Sequence, residues 1–432
     1  MPPGLYPHVV LVPFLVILLA IVTGAAFGYG TDPAWGAREG GLAIIVLARR
    51  FQWLLAGASL AACVALIGMV ASGRHRAWWL IGLGPVLALF WHRLSGGTFA
   101  HMSVADNPPM VSADQAAFLK DDDWVVGLIF HGKAYAFPYD ALYNTPAVVC
   151  ADREQRFLLM WSAFANRAVA VRIQHEIKAR ELEIASMPAN ALLLHNARRG
   201  QFINGFTGLT HTGEAPAGLG AAIPTWKQPW GQWRKAYPQS LVLALPDELM
   251  RRRVPCQPLE MQFSLPARAT SAPSEDPRQR VLLLATTRPA ALPMSVAQRQ
   301  AANFRTSRAH VLVVRDATTG RVFAFNRELA EDQPAVFTLN RDRTRKGWLV
   351  DSVHRHTWNL ESGHGDWPVA LRAVENVDRR PVAPPCVLVP LPIDTDLPMG
   401  VVRTWFGDVE VIDAASDGEG SGPRPWRDRT WR

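Results

Sequence analysis

The chain has 432 residues, more than one hydrophobic core usually accommodates, so the length predicts two or more domains. Charged residues make up 19% of the sequence and the net charge is +8, but the basic residues are scattered and do not alternate with aromatic residues, so we expect a solvated surface and no nucleic-acid partner. The four cysteines form no C-x-x-C pair, which excludes a zinc ribbon and thioredoxin-type chemistry.

Three apolar segments without Lys, Arg, Asp or Glu lie near the start of the chain, at residues 9–27, 51–71 and 77–91. The first two reach the ~20 residues needed to cross a bilayer. The third is shorter, but tryptophans flank it, and tryptophan collects at membrane interfaces. We therefore predict an all-α transmembrane anchor over residues 1–94 with about three helices; two spans and an interfacial helix are the second interpretation. A cleavable signal peptide competes for the first segment, but residues 1–8 lack the Lys or Arg that it needs.

After the anchor, the pattern changes to short apolar runs separated by turn residues, which is typical of β-strands. Residues 124–130 and 133–137 flank a His-Gly turn and are predicted to form a hairpin. Residues 310–315 and 321–326 flank the turn-forming sequence DATTG and predict a second hairpin. The soluble region is therefore expected to be mainly β.

The same order of features returns after a stretch rich in Ser, Pro and Ala, which is predicted to be a linker. Val125 corresponds to Val281 and Asn196 to Asp351, at offsets of 156 (281 − 125) and 155 (351 − 196) residues, which predicts a duplicated unit. The predicted fold class is α+β: a mainly β soluble region built from two similar halves, preceded by an all-α transmembrane segment. The predicted boundaries are 1–94 for the anchor, 95–266 for the first β-rich unit, 267–280 for the linker, 281–412 for the second β-rich unit and 413–432 for a disordered tail.

Sequence elements of the soluble region occur in a recognisable order. Residues 106–142 hold a proline-containing lead-in, a strand, a "G-x-A-x-A-Y-P-L"-like hairpin and a short helix. ALLLHNARRGQF (191–202) and WLVDSVHRHTWN (348–359) each contain a "D-x-x-T-G-S-x-W"-like element, and residues 225–243 a "W-x-x-W-x-x-x-x-P-x-T-x-V-L"-like one. In this order and spacing they resemble the bacterial and archaeal family of the domain of unknown function numbered 3179.

The sequence departs from the pattern of that family at the positions where the family has histidine, acidic and cysteine side chains, the residue types that commonly form catalytic or metal sites. The "H-E-I-V-N-D" stretch of the family corresponds here to ALYNTP, and its "Y-C-P-L" motif to MWSAFANRA, with Ser162 where the cysteine would be. In the first copy Asn196 replaces the aspartate and Ile203 the tryptophan. The resemblance implies that any site which relatives build from these groups is lost from the first copy.

Asp351, His354 and His356 form the best cluster of metal-ligand side chains in the sequence. His354 and His356 at i and i+2 of a strand would project to one face, which suits one metal ion. The alternative is a turn after a strand, with histidines that make hydrogen bonds. A metal ion is the single cofactor that the sequence suggests, and no residue is indicated as catalytic.

We expect a binding or scaffolding module rather than an enzyme, because the histidine, acid and cysteine are missing from the first copy. Two alternatives stay open: a metal-binding protein or enzyme with its site near Asp351, and a subunit of a membrane complex with a protein partner. The lipid bilayer of the cell (inner) membrane is the expected partner and location. With three spans, four arginines share a side with the soluble domain and two lie opposite, so the positive-inside rule favours a cytoplasmic domain. The resemblance favours the extracytoplasmic side, since many family members are exported, and we expect this side because the charge difference behind the positive-inside rule is only two arginines.

Overall fold

The computed structural model describes most of the chain. The predicted tail and His354 lie outside the described residues. The residues described are 7–73, 75, 77–95, 99, 102–244, 257–270, 275–286, 288–297, 301–316, 319–327, 336–339, 348–352, 356–360, 363, 365–366 and 388–412.

The N-terminal region is helical, and two of its helices are long and apolar enough to cross a membrane, by length and composition. The helices are α1 (Pro7–Tyr29), α2 (Gly41–Arg50), α3 (Gln52–Ala71) and α4 (Leu83–Leu94), with 3-10 turns at Pro33–Ala37 and Ala77–Gly82. The two long helices are α1 and α3. The third predicted span is divided into a 3-10 turn and α4. Pro85 has no N–H to bond the carbonyl of residue 81, so the α-helix begins only at Leu83.

The helices form a bundle in which α4 runs in the same direction as α1. The rings of Phe27 and Phe90 lie 4.9 Å apart, and those of Tyr29 and His92 lie 4.7 Å apart, so the C-terminal ends of the two helices are level. α3 runs the opposite way, because its first residue, Gln52, contacts the end of α4. The end of α1, the start of α3 and the end of α4 therefore meet at one end of the bundle.

Residues 104–243 form the first β-rich region. Its strands are β1 (Val104–Asp106), β2 (Met110–Ser112), β3 (Trp124–Phe130), β4 (Lys133–Pro138), β5 (Ala147–Asp152), β6 (Gln155–Ser162), β7 (Arg167–Ile173), β8 (Leu182–Ser186), β9 (Leu193–Asn196), β10 (Gln201–Asn204), β11 (Leu219–Ile223), β12 (Thr225–Pro229) and β13 (Leu241–Leu243). Its helices are α5 (Tyr139–Asn144) and α6 (Trp230–Ala236), with 3-10 turns at Ala163–Ala165, Ala179–Glu181 and Pro188–Asn190. The sheet orders are β1-β5-β6-β7-β11, β12-β3-β4-β13-β2 and β10-β9-β8.

Residues 267–412 hold the second β-rich region. Its strands are β14 (Arg280–Leu284), β15 (Ala290–Pro293), β16 (Ala301–Arg305), β17 (His310–Arg315), β18 (Val322–Asn326), β19 (Phe337–Leu339), β20 (Trp348–Asp351), β21 (Thr357–Asn359), β22 (Gly365–Asp366), β23 (Val389–Pro390), β24 (Ile393–Pro398) and β25 (Glu410–Val411). Its helices are α7 (Ala267–Thr270), α8 (Met294–Ala297) and α9 (Met399–Phe406). The sheet orders are β24-β14-β15-β25, β16-β17-β18-β23 and β19-β20-β21-β22.

Both predicted hairpins are confirmed. β3 and β4 pair antiparallel around the His131-Gly132 turn, and β17 pairs antiparallel with β18. Alternating side chains of these strands enter apolar cores, because successive residues of a strand point to opposite faces. The chain is therefore a mixed protein of helices and many sheets, with a helical N-terminal part.

An apolar cluster joins the two β-rich regions. Phe206 from the first region packs with Leu283 and Leu397 from the second, and all three are fully buried. Burial of side chains of this size stabilises by about 1.5–3 kcal/mol each. The two regions are thus in firm contact, and the polar groups described next lie along the same contact.

Candidate functional site

A cluster of buried charges, here called the central ion cluster, links the two β-rich regions through Arg167, Lys227 and Asp394. Arg167 Nη1 lies 2.7 Å from Asp394 Oδ2, and Lys227 Nζ lies 2.7 Å from Asp394 Oδ1. Arg167 begins β7 and Lys227 lies in the middle of β12, whereas Asp394 belongs to β24 of the second region. The side chains of Lys227 and Asp394 are only 2% and 5% exposed. One buried carboxylate therefore holds two cations from the other region.

A second carboxylate extends the cluster. Asn166 Nδ2 donates to Asp396 Oδ2 over 2.7 Å, and the hydroxyl of Tyr139 donates to Asn166 Oδ1 over 2.7 Å. Asn166 and Asp396 both adopt left-handed backbone conformations, with φ of 49° and 59°. Such conformations are uncommon outside glycine, and Asn and Asp tolerate them best. The local backbone on both sides of the contact is therefore shaped so that these side chains meet.

The central ion cluster places two cations around the carboxylate of Asp394, and the charge of Asp396 also acts on Lys227. Burial lowers the pKa of Lys227, and the charge of Asp394 opposes that shift. Lys227 Nζ also donates to the carbonyls of Asn166 and Thr395, and Arg167 Nε donates to that of Phe206 over 3.0 Å. Both cations and both oxygens of Asp394 are engaged, so the cluster is suited to holding two regions together rather than to moving a proton.

A cation–π contact joins the same two regions nearby. The guanidinium carbon of Arg321, at the start of the β18 hairpin arm, lies 5.0 Å from the centroid of Trp226 and 5.3 Å from that of Tyr237. Arg321 Nη1 also donates to the hydroxyl of Tyr237. Arg321 of the second region thus contacts aromatic rings of the first, and Arg167 and Lys227 of the first region pair with Asp394 of the second.

A third polar group, here called the anchor junction, lies where the helical bundle meets the first β-rich region. Arg49 forms an ion pair with Glu183, and Arg49 Nη1 and Arg93 Nη2 both donate to Gln52 Oε1, over 3.0 and 3.3 Å. His195 Nδ1 lies 3.8 Å from Glu183 Oε2. The contact with His195, and then the charge of Arg49, lower the pKa of Glu183 to about 2, against the opposing effect of burial. Glu183 is therefore ionised at neutral pH.

Two of the three residues in the metal-site hypothesis lie next to each other in the structure. Asp351 ends β20 and His356 directly precedes β21, with His356 Nδ1 4.0 Å from Asp351 Oδ2. The backbone N–H of His356 and the indole Nε1 of Trp358 each donate to Asp351 Oδ2 over 2.9 Å. Within the described part of the chain, no group of three His, Cys, Asp or Glu is placed to hold a metal ion. A hydrogen-bonding role thus already accounts for Asp351, and the metal site stays a prediction.

Replacing Asp351 with alanine distinguishes a hydrogen-bonding role of this carboxylate from a metal-binding role. We expect the free energy of unfolding to fall by about 2–4 kcal/mol, because two buried donors lose their acceptor. The fall should be the same with zinc and with a chelator present, as measured by denaturant titration. One metal ion per purified chain, lost in the double variant His354→Ala/His356→Ala, would contradict this expectation and support the metal site.

The residues at the divergent family positions also have structural partners. Ser162 is fully buried, and its Oγ accepts the backbone N–H of Leu192 over 2.9 Å. Asn196 Oδ1 accepts the backbone N–H of Arg199 over 3.2 Å, and Ile203 is a buried core residue. In β20 and β21, by contrast, the carboxylate of Asp351 receives the indole N–H of Trp358. Asp351 and Trp358 thus form a hydrogen bond across a hairpin, whereas the side chain of Ile203 has no donor to make one.

The comparison with known families fits these observations. The sequence model of the family described as "Protein of unknown function (DUF3179)" matches residues 103–379, more than half of the chain. The chain belongs to this family. No curated protein and no solved structure matches it significantly. The DUF3179 match includes Arg167, Lys227 and Asp351 and ends before β24, which carries Asp394.

Reasoning from the sequence missed the central ion cluster. Arg167 looks like the polar edge of a strand, and Lys227 stands between Trp226 and Trp230. The one available signal was a lysine inside an otherwise apolar and aromatic stretch, since a buried lysine needs a counter-charge. That signal does not identify Asp394, which lies 167 residues further along the chain (394 − 227).

Proposed function

We propose that this DUF3179 protein is an integral membrane scaffold, in which a helical anchor presents a duplicated β-rich binding module at a fixed orientation to the bilayer. The observation that carries the proposal is the position of α2. This helix belongs to the anchor by sequence, but it packs on the sheet formed by β8, β9 and β10.

The contact of α2 with the first β-rich region is apolar in its centre and ionic at its end. Ile45 and Val46 are buried against Leu193 and Phe202. At the end of the helix, Arg49 pairs with Glu183. Because α3 begins two residues later without a flexible linker, the direction of α3 is tied to that of the sheet. A tether that only retained the domain at a membrane would not require this contact.

The outer surfaces of the bundle support a lipid environment. Large apolar side chains there are strongly exposed, which a water-soluble monomer avoids over areas of this extent. Trp53 and Trp91 are 74% and 76% exposed at the end of the bundle that faces the β-rich region, and Trp78 is 53% exposed at the other. Two levels of tryptophan with an apolar surface between them are typical of a membrane protein.

The third segment also fits a crossing. A 3-10 turn of six residues followed by an α-helix of twelve residues spans roughly 30 Å, the thickness of the hydrocarbon layer. The end of α4 returns to the level of Tyr29, next to the β-rich region. We infer an anchor of three crossings, with Ser72 on the far side of the membrane.

The proposal of a duplicated module rests on strand pairing. In the first region Ala147 pairs with Met160 and Arg156 with Ile173; in the second, Ala301 pairs with Val314 and Val311 with Asn326. The first of these pairs recurs at an offset of 154 residues (301 − 147 and 314 − 160). The pair of Phe157 with Arg172, next to Arg156 and Ile173, recurs as Val311 with Asn326 at the same offset (311 − 157 and 326 − 172). The parallel pairs β4–β13 and β15–β25 also correspond. A crystal structure in which the second region pairs its strands in another order would contradict the duplication.

Cysteine labelling tests the anchor. In a chain whose four native cysteines are replaced by serine, we expect Ser72→Cys and Arg198→Cys to react with a membrane-impermeant maleimide from opposite sides of the membrane. Ser95→Cys, at the end of α4, serves as the matched control and should react from the same side as Arg198→Cys. The labelled side also distinguishes a cytoplasmic from an extracytoplasmic domain. Reaction of Ser72→Cys and Arg198→Cys from one side would contradict three crossings, and release of the chain by alkaline carbonate would contradict the anchor itself.

A further inference from the structure

The anchor junction carries more positive than negative charge. Arg49 and Arg93 share a single amide oxygen, that of Gln52, and among the residues that the structure describes Glu183 is the one carboxylate paired with Arg49. Arg93 forms no ion pair within the described residues, and burial of Arg49 leaves its side chain only 11% exposed. Arg50 adds a third cation, which is exposed and donates to the carbonyl of Gly200 over 3.3 Å. The local excess of charge is thus built from three arginines.

The position of this excess is at the level of lipid headgroups if the anchor crosses the bilayer as proposed above. Arg50 and Gln52 lie at the start of α3, and Arg93 lies at the end of α4. Trp53 directly follows Gln52, and Trp91 lies two residues before Arg93. Both rings are exposed, and tryptophan occupies the interface between hydrocarbon and water. Arginine in the same layer meets phosphate groups rather than bulk water.

We propose that the anchor junction binds the phosphate of an anionic phospholipid, with Arg93 and Arg50 as the contacting residues and Arg49 as a positioning residue. Guanidinium groups suit this ligand, because their planar array of N–H donors matches phosphate oxygens in pairs. Arg49 is engaged by Glu183 and Gln52 and orients Arg93 through the shared amide oxygen. A bound anionic lipid would complete the charge balance where the anchor meets the β-rich region.

The carboxylates around the anchor junction are paired with other side chains. Glu183 is held by Arg49 and His195, and Glu181 and Glu176 pair with Arg198 and Arg199 on the neighbouring turn. These carboxylates are therefore already neutralised by partners of their own. An additional negative charge at Arg93 and Arg50 has to come from outside the described part of the chain.

Lipid retention by the full-length protein tests the proposal. The chain is reconstituted in bilayers of one part phosphatidylglycerol to nine parts phosphatidylcholine and extracted gently, and the lipids that remain bound are quantified by mass spectrometry. We expect phosphatidylglycerol to be enriched over its share in the bilayer, and the enrichment to fall about fivefold in Arg93→Gln, from the loss of one arginine near an anionic surface. Arg93→Lys keeps the charge and should retain most of the enrichment.

Arg198→Gln is the matched control, because it removes the same charge on the same side from a residue that pairs with Glu181. It should leave the enrichment unchanged. Equal enrichment in the wild type and in Arg93→Gln, or no enrichment in the wild type, would overturn the lipid site. Insertion of the protein into pure phosphatidylcholine would still support the membrane anchor in that case. Displacement of the lipid by millimolar inorganic phosphate would also overturn it, since the site would then take the free ion.

Discussion

Replacing Asp394 with alanine should lower the free energy of unfolding by about 3–5 kcal/mol, the largest effect that we expect of any single change in the β-rich regions. The substitution leaves Arg167 and Lys227 buried without their counter-ion, and burial of an unpaired charge is costly. Denaturant or thermal unfolding of the detergent-solubilised chain measures the loss.

The exposed pair of Arg234 and Asp121 provides the control for Asp394. Arg234 Nη2 lies 2.9 Å from Asp121 Oδ1, but the two side chains are 50% and 73% exposed. Asp121→Ala should therefore lower the free energy of unfolding by less than about 1 kcal/mol. In the double variant Asp394→Ala/Lys227→Met one of the stranded cations is gone, and part of the lost stability should return. Equal effects of the Asp394 and Asp121 changes would show that the central ion cluster does not hold the two regions together.

Replacing Gly36 with alanine should weaken the docking of the anchor on the first β-rich region. A Cβ at this position would lie 2.6 Å from the backbone N of Ala189 and 2.8 Å from Cα of Pro188, and backbone atoms cannot move aside as a flexible side chain can. We expect a loss of about 1–3 kcal/mol in the docking of the anchor, as for other overpacked contacts. Hydrogen–deuterium exchange should then become at least several times faster in β8, β9 and the turn at Pro33–Ala37.

Gly57 offers a matched control for Gly36 within the same anchor. It lies in α3, and a Cβ there would meet nothing within 4 Å. Gly57→Ala should therefore leave exchange unchanged or slightly slower, because alanine favours the helix. Unchanged exchange in Gly36→Ala would mean that the turn at Pro33–Ala37 does not dock the anchor on the first β-rich region. That result would contradict the contribution of this turn to a fixed orientation.

The features that the sequence predicts well are those that depend on neighbouring residues. The β3–β4 hairpin follows from two short apolar runs on either side of a His-Gly turn. The third apolar segment begins as a 3-10 turn and continues as an α-helix, a division that hydropathy does not register because it depends on the missing N–H of Pro85. The family was identified from short ordered motifs, and the match over residues 103–379 confirms it.

The candidate sites show where reasoning from the sequence ends. Asp351 and His356 do lie together, because a short hairpin fixes their separation, but the carboxylate of Asp351 accepts an indole N–H, a partner that ligand patterns ignore. Arg167 and Asp394 meet across 227 residues of chain (394 − 167), and no local pattern records such a contact. The position of α2 on the β8–β10 sheet likewise depends on the tertiary fold.

The central ion cluster has a consequence for synthesis on the ribosome. Lys227 is made 167 residues before Asp394, so at about 5–20 residues per second its counter-ion appears roughly 10–30 s later. During that interval the lysine of the nascent first region has to stay in water, because burying it alone is too costly. Closure of the first region around Lys227 therefore waits until the second has been translated, and a chain released early would keep an open edge at β12.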